Sequence, residues 1–226
     1  MINCPSLANI PFTEFSTQLE ELVNAGVKYF HIDIMDGHYV KNLCFPVSLI
    51  NDCKAKYPDV KLDVHLMVDD PLSYIPQMIQ AKADYVSFHQ DSTIYLRKGL
   101  CQLQEAGIKA GIAINPSQRI DVLEPILPYV DYILQMTVEP GFAGQHYLPG
   151  STERLIELSQ MRRDMRLDFQ IFLDGGISYD NLKEIAENGA DLIVTNVFTI
   201  FNQPEGIAGA CRKFEEKCRE YGSTKK

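Results

Sequence analysis

No Cys-x-x-Cys pair occurs in this 226-residue chain, whose six cysteines stand scattered at Cys4, Cys44, Cys53, Cys101, Cys211 and Cys218. That pattern reads as unpaired thiols in a reducing compartment, not as a disulfide framework. The N-terminus, MINCPSLANIPFTEF, has neither a basic start nor an apolar run, so no signal peptide is expected. No apolar stretch approaches the roughly 20 residues that crossing a bilayer takes, so no membrane association is expected. A cytoplasmic location is the resulting expectation. Positive charge is scarce: 21 Lys and Arg against 30 Asp and Glu leave a net charge of −9. This argues against nucleic acid as a partner. It also means that an anionic ligand gains nothing from the global field and would need local donors or a metal. Linkers and low-complexity segments are missing, and only GSTKK at the C-terminal end reads as disordered.

What is present is an ordinary globular composition, 46% hydrophobic and 23% charged. A chain of this size buries roughly 70% of its unfolded surface and needs no disulfide or metal staple to do so. Short apolar runs alternate with amphipathic segments over almost the whole length. Strands are expected at INCPSL, VKYFHIDIMD, VKLDVHLMV, ADYVSFH, IKAGIAIN, VDYILQMTV, DFQIFLDGG and ADLIVTNV. Helices are expected at FTEFSTQLEELVNAG, near 46–56, near 71–82, at TIYLRKGLCQLQEAG, from SQRID, at STERLIELSQMRRDM, at SYDNLKEIAENG and near 205–219. The segments VNAGVKYFHID, IQAKADYVSFH and AENGADLIVTN share one grammar: a helix end, a small residue, then a strand. Such alternation implies a parallel sheet. Eight units in this length fit an α/β chain with a single (β/α)8 TIM barrel over residues 1–221 and a tail at 222–226. An open doubly wound sheet is the alternative, but SLANIPF is no dinucleotide fingerprint.

In a parallel barrel, active sites form at the C-terminal strand ends. Side chains alternate along a strand, so in YFHIDIMDGHYV the apolar Phe30, Ile32 and Ile34 share one face and His31, Asp33 and Met35 the other. The first set suits the outer helices, which sends the second inward. Asp63, His65 and Met67 share a face in the third strand, Leu134 and Met136 in the sixth, Phe172 and Asp174 in the seventh. His31, Asp33, His65 and Asp174 thus converge from three strands. Two imidazoles and two carboxylates make a four-ligand set for one divalent metal, and the mix does not choose among Zn, Mn, Fe and Co. The alternative is four polar residues satisfied in separate hydrogen-bond networks; their matching strand positions favour a functional site. Asp36 falls on the other parity and reads as structural. Met35, Met67 and Met136 read either as core filler or as an apolar lining of the site.

PGFAGQ, residues 140–145, lies in the longest β-to-α connection. Its glycines let backbone N–H groups approach an anion, unless the loop is simply flexible. Gly175 and Gly176 follow the seventh strand, where barrel loops commonly hold phosphate.

PSL near the start, HIDIMDGHYVKN, DVHLMV, IAINP, MTVEPGFAGQHYLP and FLDGGI together resemble the ribulose-phosphate 3-epimerase family, over residues from about 4 to about 202. That family includes the allulose-6-phosphate 3-epimerases. The resemblance implies a (β/α)8 barrel with one catalytic divalent metal on His31, Asp33, His65 and Asp174. It implies Asp33 as proton acceptor and Asp174 as proton donor, Ser6 and His65 as substrate contacts, and Gly141, Phe142, Ala143, Gly144, Gly175 and Gly176 as backbone contacts to the sugar phosphate. A cytoplasmic homo-oligomer acting on a small sugar or sugar phosphate is the expectation. The chemistry agrees. Two carboxylates on opposite faces of a flat enediolate can remove and return the proton at carbon 3, and a Lewis acid stabilises the developing charge.

The departures lie at the phosphate end. Where the family usually has a Gly-Ser segment after strand eight, this chain reads VTNVFTIFN, with Val197 and Phe198 at those two places. Ala143 replaces a common glycine, and Lys41 stands where proline is common and reads as a solvated surface residue. The substrate expected is a ketose phosphate of the ribulose 5-phosphate type. The alternatives are a six-carbon ketose phosphate or an unphosphorylated ketose, and, from another class, a sugar-binding regulator without turnover. A decarboxylase of the related barrels is disfavoured, because HIDIMD has isoleucine where their Asp-x-Lys-x-x-Asp set has lysine.

Overall fold

The computed structural model describes residues 1–222. The expected tail lies outside them except for Gly222, the last residue of the final helix. Eight strands run β1 (Ile2–Pro5), β2 (Tyr29–Met35), β3 (Lys61–Met67), β4 (Tyr85–His89), β5 (Lys109–Ile114), β6 (Tyr132–Met136), β7 (Gln170–Asp174) and β8 (Leu192–Thr195). All pair in parallel, in the order β1-β8-β7-β6-β5-β4-β3-β2. A parallel bridge between Ser6 and His31 draws the two free edges together, so the sheet is a nearly closed barrel. Seven α-helices surround it: α1 (Phe15–Asn24), α2 (Ser48–Lys56), α3 (Pro71–Ala81), α4 (Leu96–Glu105), α5 (Ser151–Asp164), α6 (Tyr179–Glu187) and α7 (Gly206–Gly222). No helix among the described residues is long and apolar enough to cross a membrane.

Two segments differ from the periodicity. The connection from SQRID holds no α-helix but two 3₁₀ turns, Ile120–Leu123 and Leu127–Tyr129. Pro125 and Pro128 fall inside it, and each removes an N–H donor and clashes with the preceding turn. Helix α4 starts at Leu96, not at Thr93, because the Thr93 hydroxyl accepts from the Tyr95 N–H and holds a local turn.

The barrel separates two apolar layers. Phe30, Ile32, Ile34, Val64 and Leu66 face the helices with Leu22, Ile50 and Ile75. Cys4, Tyr132, Leu134, Phe172, Leu192 and Val194 fill the interior. Gly111 on β5 admits the Tyr132 ring, since a methyl group there would lie 2.7 Å from Tyr132 Cε2. The buried Tyr132 hydroxyl then reaches Asp63 Oδ1 at 3.0 Å.

The repeated grammar has a physical device at its centre. An aspartate precedes three of the four even-numbered strands: Asp84 before β4, Asp131 before β6, Asp191 before β8. Each accepts the N–H of the second residue of the preceding strand, Leu62 at 2.8 Å, Ala110 at 2.9 Å and Ile171 at 2.9 Å. Each also pairs with a cation: Lys54 and Lys61 for Asp84, Lys109 for Asp131, Arg162 for Asp191. Burial pushes the Asp84 and Asp131 carboxyls up, but these partners outweigh it and hold both below the ordinary range.

Asp84→Ala leaves the Leu62 N–H without its partner and is expected to cost about 1–3 kcal/mol at neutral pH. Because the folded pKa is depressed, this contribution is full above the ordinary aspartate pKa near 3.9 and is lost as pH falls below it. Urea midpoints for the two proteins should therefore differ at pH 7 and converge towards pH 3; an equal difference at both pH values contradicts the carboxylate's role.

Candidate active site at the barrel mouth

Strand register assembles the polar cluster. In the β2–β3 ladder His31 stands beside Asp63, Asp33 beside His65, and Met35 beside Met67. All six point into the barrel, and β7 adds Asp174 at its last residue. His31 Nε2 lies 3.3 Å from Asp33 Oδ1 and 3.8 Å from Asp174 Oδ2. His65 Nδ1 lies 3.5 Å and 3.7 Å from the same two oxygens. Around a tetrahedral ion with bonds near 2.1 Å, donor atoms stand about 3.4 Å apart. His31 Nε2 and His65 Nδ1 are buried and have no hydrogen-bond partner. Two orphaned imidazole nitrogens facing two carboxylates fit a divalent cation, and these four residues could hold one.

The electrostatics point the same way. Burial by itself would push Asp33 up, but the facing imidazoles of His31 and His65 outweigh it and hold the carboxyl well below the ordinary range. Burial by itself would push both imidazoles down, yet Asp33 on His31 and Asp174 on His65 raise them instead. The cluster calls for positive charge. A second group, Cys4, His31 and Asp63, shares His31. There His31 Nδ1 already meets Asp63 Oδ2 at 2.7 Å, and burial drives the Cys4 thiol well above its ordinary pKa.

The outward nitrogens of the two histidines are backed differently. Asp63 holds His31 Nδ1 and accepts from Tyr132, a carboxylate–imidazole pair of the kind that orients metal ligands. His65 Nε2 meets His89 Nε2 at 2.8 Å. Burial and the field of His65 hold His89 well below the ordinary histidine range, so it is neutral near pH 7.

Above the cluster opens a small cavity of about 60 Å³. Ser6, Asp33, Met35, Met67, Met136 and Asp174 line its floor, and Gly141, Phe142, Ala143, Gly144, Gly175 and Gly176 its rim. His31 and His65 lie beneath, fully buried. The Ser6 hydroxyl donates to Asp33 Oδ2 at 2.9 Å. The N–H groups of Gly144, Gly175 and Gly176 have no partner among the described residues. Asp36 is a loop staple: its carboxylate accepts from the N–H groups of His38, Tyr39 and Asp69. Lys41 is exposed, bonds the His38 carbonyl and does not line the cavity.

Strand eight ends in a π-helical turn, Val197–Phe201. Asn196 organises it. Its side-chain oxygen accepts the Phe198 N–H at 2.8 Å, and its carbonyl accepts from Thr199, Ile200 and Phe201. The N–H at Phe198 is thus spent within the turn, and the Phe198 ring stacks on His146, centroids 5.1 Å apart. Asn196 itself lines the cavity, buried, with its Nδ2 unpartnered.

Asp63, His89 and Asn196 were not singled out by the sequence pattern. Asp63 shares the parity of His65, and His89 ends a strand as Met35 and Met67 do, so both carried a signal. Which neighbour they meet depends on register, which parity does not encode.

The sequence profile of the ribulose-phosphate 3 epimerase family matches residues 2–200. A ribulose-phosphate 3-epimerase from Synechocystis sp. is 37% identical over 213 residues, covering 92% of each chain. A chloroplastic ribulose-5-phosphate-3-epimerase from Arabidopsis thaliana is 34% identical over 92% of this chain and 75% of its own. Among solved structures, 3-hexulose-6-phosphate synthase from Salmonella typhimurium superposes with a TM-score of 0.72 at 17% identity, covering 98% of this chain and 100% of that one. That likeness speaks for the barrel alone.

Gly176 has φ +62°, and a methyl group there would fall 2.6 Å from the His146 carbonyl carbon. Gly176→Ala is therefore expected to push the 140–147 loop off the β7 end, lowering the thermal midpoint and opening that loop to limited proteolysis. Unchanged cleavage kinetics would contradict the packing described.

Proposed function

The chain belongs to the ribulose-phosphate 3-epimerase family and is an isomerase-class enzyme, and from that premise we propose that it inverts carbon 3 of a ketopentose 5-phosphate using Asp33 and Asp174, with one divalent cation on His31, Asp33, His65 and Asp174. The observation that carries this reading is the pair of carboxylates from β2 and β7 that converge on two orphaned imidazole nitrogens at the floor of an open cavity. A cation bound there, whether Zn, Mn, Fe or Co, supplies Lewis-acid stabilisation of charge developing on the substrate oxygens.

The chain's own residues do the rest. Asp33 is kept ionised by its surroundings, as a base must be. The Ser6 hydroxyl holds its Oδ2 and fixes the carboxylate plane. Asp33 takes the proton from carbon 3 on one face, and Asp174 returns one on the other; the roles exchange in the reverse direction. Met35, Met67 and Met136 press an apolar, non-protic surface against the flat enediolate and keep water from reprotonating it. The free N–H groups of Gly144, Gly175 and Gly176 face the phosphoryl group, with positive-φ backbones that let them approach it. All six cysteines are free, in keeping with work in a reducing cytoplasm.

The test is hydrogen exchange at carbon 3, followed by proton NMR in deuterated water with ribulose 5-phosphate and added Mn²⁺ or Zn²⁺. Exchange and appearance of xylulose 5-phosphate are expected. Asp174→Asn should lower both by at least about 10²-fold. Full activity in that variant rules out its proton-transfer role, and exchange only with unphosphorylated or six-carbon ketoses would reassign the substrate.

A further inference from the structure

Strand β8 hands Asn196 to the cavity wall with half of its side-chain amide unused. Oδ1 accepts the Phe198 N–H at 2.8 Å. That bond fixes the amide, because the reverse orientation would set Nδ2 against an N–H, donor against donor. Nδ2 therefore stands on the side away from the Phe198 N–H. It is buried, in a residue only 8% exposed, and meets no acceptor among the described residues. Two N–H donors shut away from water without a partner destabilise the fold. A bound molecule that brings its own acceptor removes that cost.

The other side chains around the cavity offer no substitute. Among the described residues no lysine, arginine or histidine lines it. Ser6 gives its hydroxyl to Asp33, and the Asn9 amide nitrogen bonds the Ser6 carbonyl. The Gln145 amide nitrogen is spent on the carbonyls of Glu139 and Phe142. Of the side-chain donor atoms that line the cavity, Asn196 Nδ2 alone has no acceptor. The backbone N–H groups of Phe198, Thr199, Ile200 and Phe201 all run to Asn196 itself. The turn after β8 therefore presents those four donors to no ligand, and its contribution to the cavity passes through one side chain.

We infer that Asn196 is a specificity-determining residue, whose Nδ2 donates to a phosphoryl oxygen of the substrate beside the N–H groups of Gly144, Gly175 and Gly176. The inference rests on the reading that the substrate is a ketose phosphate. The Phe198 N–H takes part at one remove: its bond into Oδ1 polarises the amide and strengthens the donors on Nδ2. A phosphoryl group suits this site better than a hydroxyl does. Hydrogen bonds to an ionised acceptor are roughly twice as strong as neutral ones, and three terminal oxygens can meet several donors at once. With no basic side chain on the wall, neutral donors must supply that discrimination, and a donor removed from Asn196 is not covered by a neighbouring cation.

The experiment is steady-state epimerisation of ribulose 5-phosphate by the full chain with added Mn²⁺, with inorganic phosphate as competing inhibitor and thermal midpoints measured alongside. Two variants keep an oxygen to accept the Phe198 N–H and remove the donor, since serine and aspartate cap a turn as asparagine does. Asn196→Ser should raise KM about 10-fold, with kcat changed far less, and should weaken inhibition by phosphate to the same degree. It should melt no lower than the unsubstituted protein. Asn196→Asp sets a negative oxygen in place of Nδ2 and should raise KM at least about 100-fold; Asn196→Ser serves if that variant does not fold. An unchanged KM and unchanged phosphate inhibition in Asn196→Ser overturn the inference while the epimerase reading stands. A fall in kcat at constant KM assigns Asn196 to the turn's structure alone and overturns it as well. If the unsubstituted protein turns over no ketose phosphate, the substrate reading falls and this inference with it.

Discussion

The site depends on a single register. In the parallel ladder of β2 and β3, one residue-for-residue alignment sets Asp33 beside His65 and His31 beside Asp63. A slip of one place would turn every one of those polar groups outward into the apolar layer under the helices. Burial of Phe30, Ile32, Ile34, Val64 and Leu66 against that layer is what forbids the slip. The chemistry is thus held by hydrophobic packing on the opposite face of the same strands. Each buried apolar side chain contributes on the order of 1.5–3 kcal/mol to the alignment, and the polar cluster, costly to bury on its own, is carried by it.

Most of the barrel was legible because alternation has only two faces to choose between. Once Phe30, Ile32 and Ile34 are assigned outward, His31 and Asp33 have nowhere else to go. The same logic placed His65 and Asp174. It failed where local chemistry overrides periodicity: the prolines at 125 and 128 break an amphipathic segment into 3₁₀ turns, and the Thr93 hydroxyl delays a helix. It could not reach the partners behind the histidines. Asp63 and His89 are recognisable as inward residues, but a contact between strands requires the barrel's stagger, which period two does not contain.

The end of the cavity remote from the carboxylates shows how a departure in sequence is absorbed. The bulky Val197 and Phe198 enter a π-helical turn, a wider winding than an α-turn and one that proteins favour at functional places. Asn196 accepts the N–H groups of Phe198, Thr199, Ile200 and Phe201. The glycine N–H groups after β6 and β7 and the Asn196 amide nitrogen are then donors at that end, and Phe198, stacked on His146, lines the cavity beside them. The net charge of −9 does not set the local field there, because fixed amide dipoles act over a few ångströms while surface charges are screened within about 10 Å of solvent.

The bridge between Ser6 and His31 has a consequence for how the protein is made. Ser6 closes the barrel, donates its N–H to Thr195 and holds Asp33 through its hydroxyl. The first strand can therefore settle only after the last one exists. On the ribosome, Asp174 follows His31 by roughly 140 residues, about seven to thirty seconds at ordinary elongation rates. Through that interval the nascent chain carries two imidazoles and a carboxylate with no completed cage. The opposing aspartate and the closing seam arrive together only once β7 and β8 are made, so a chain stalled before them holds His31, Asp33 and His65 without Asp174 beside them.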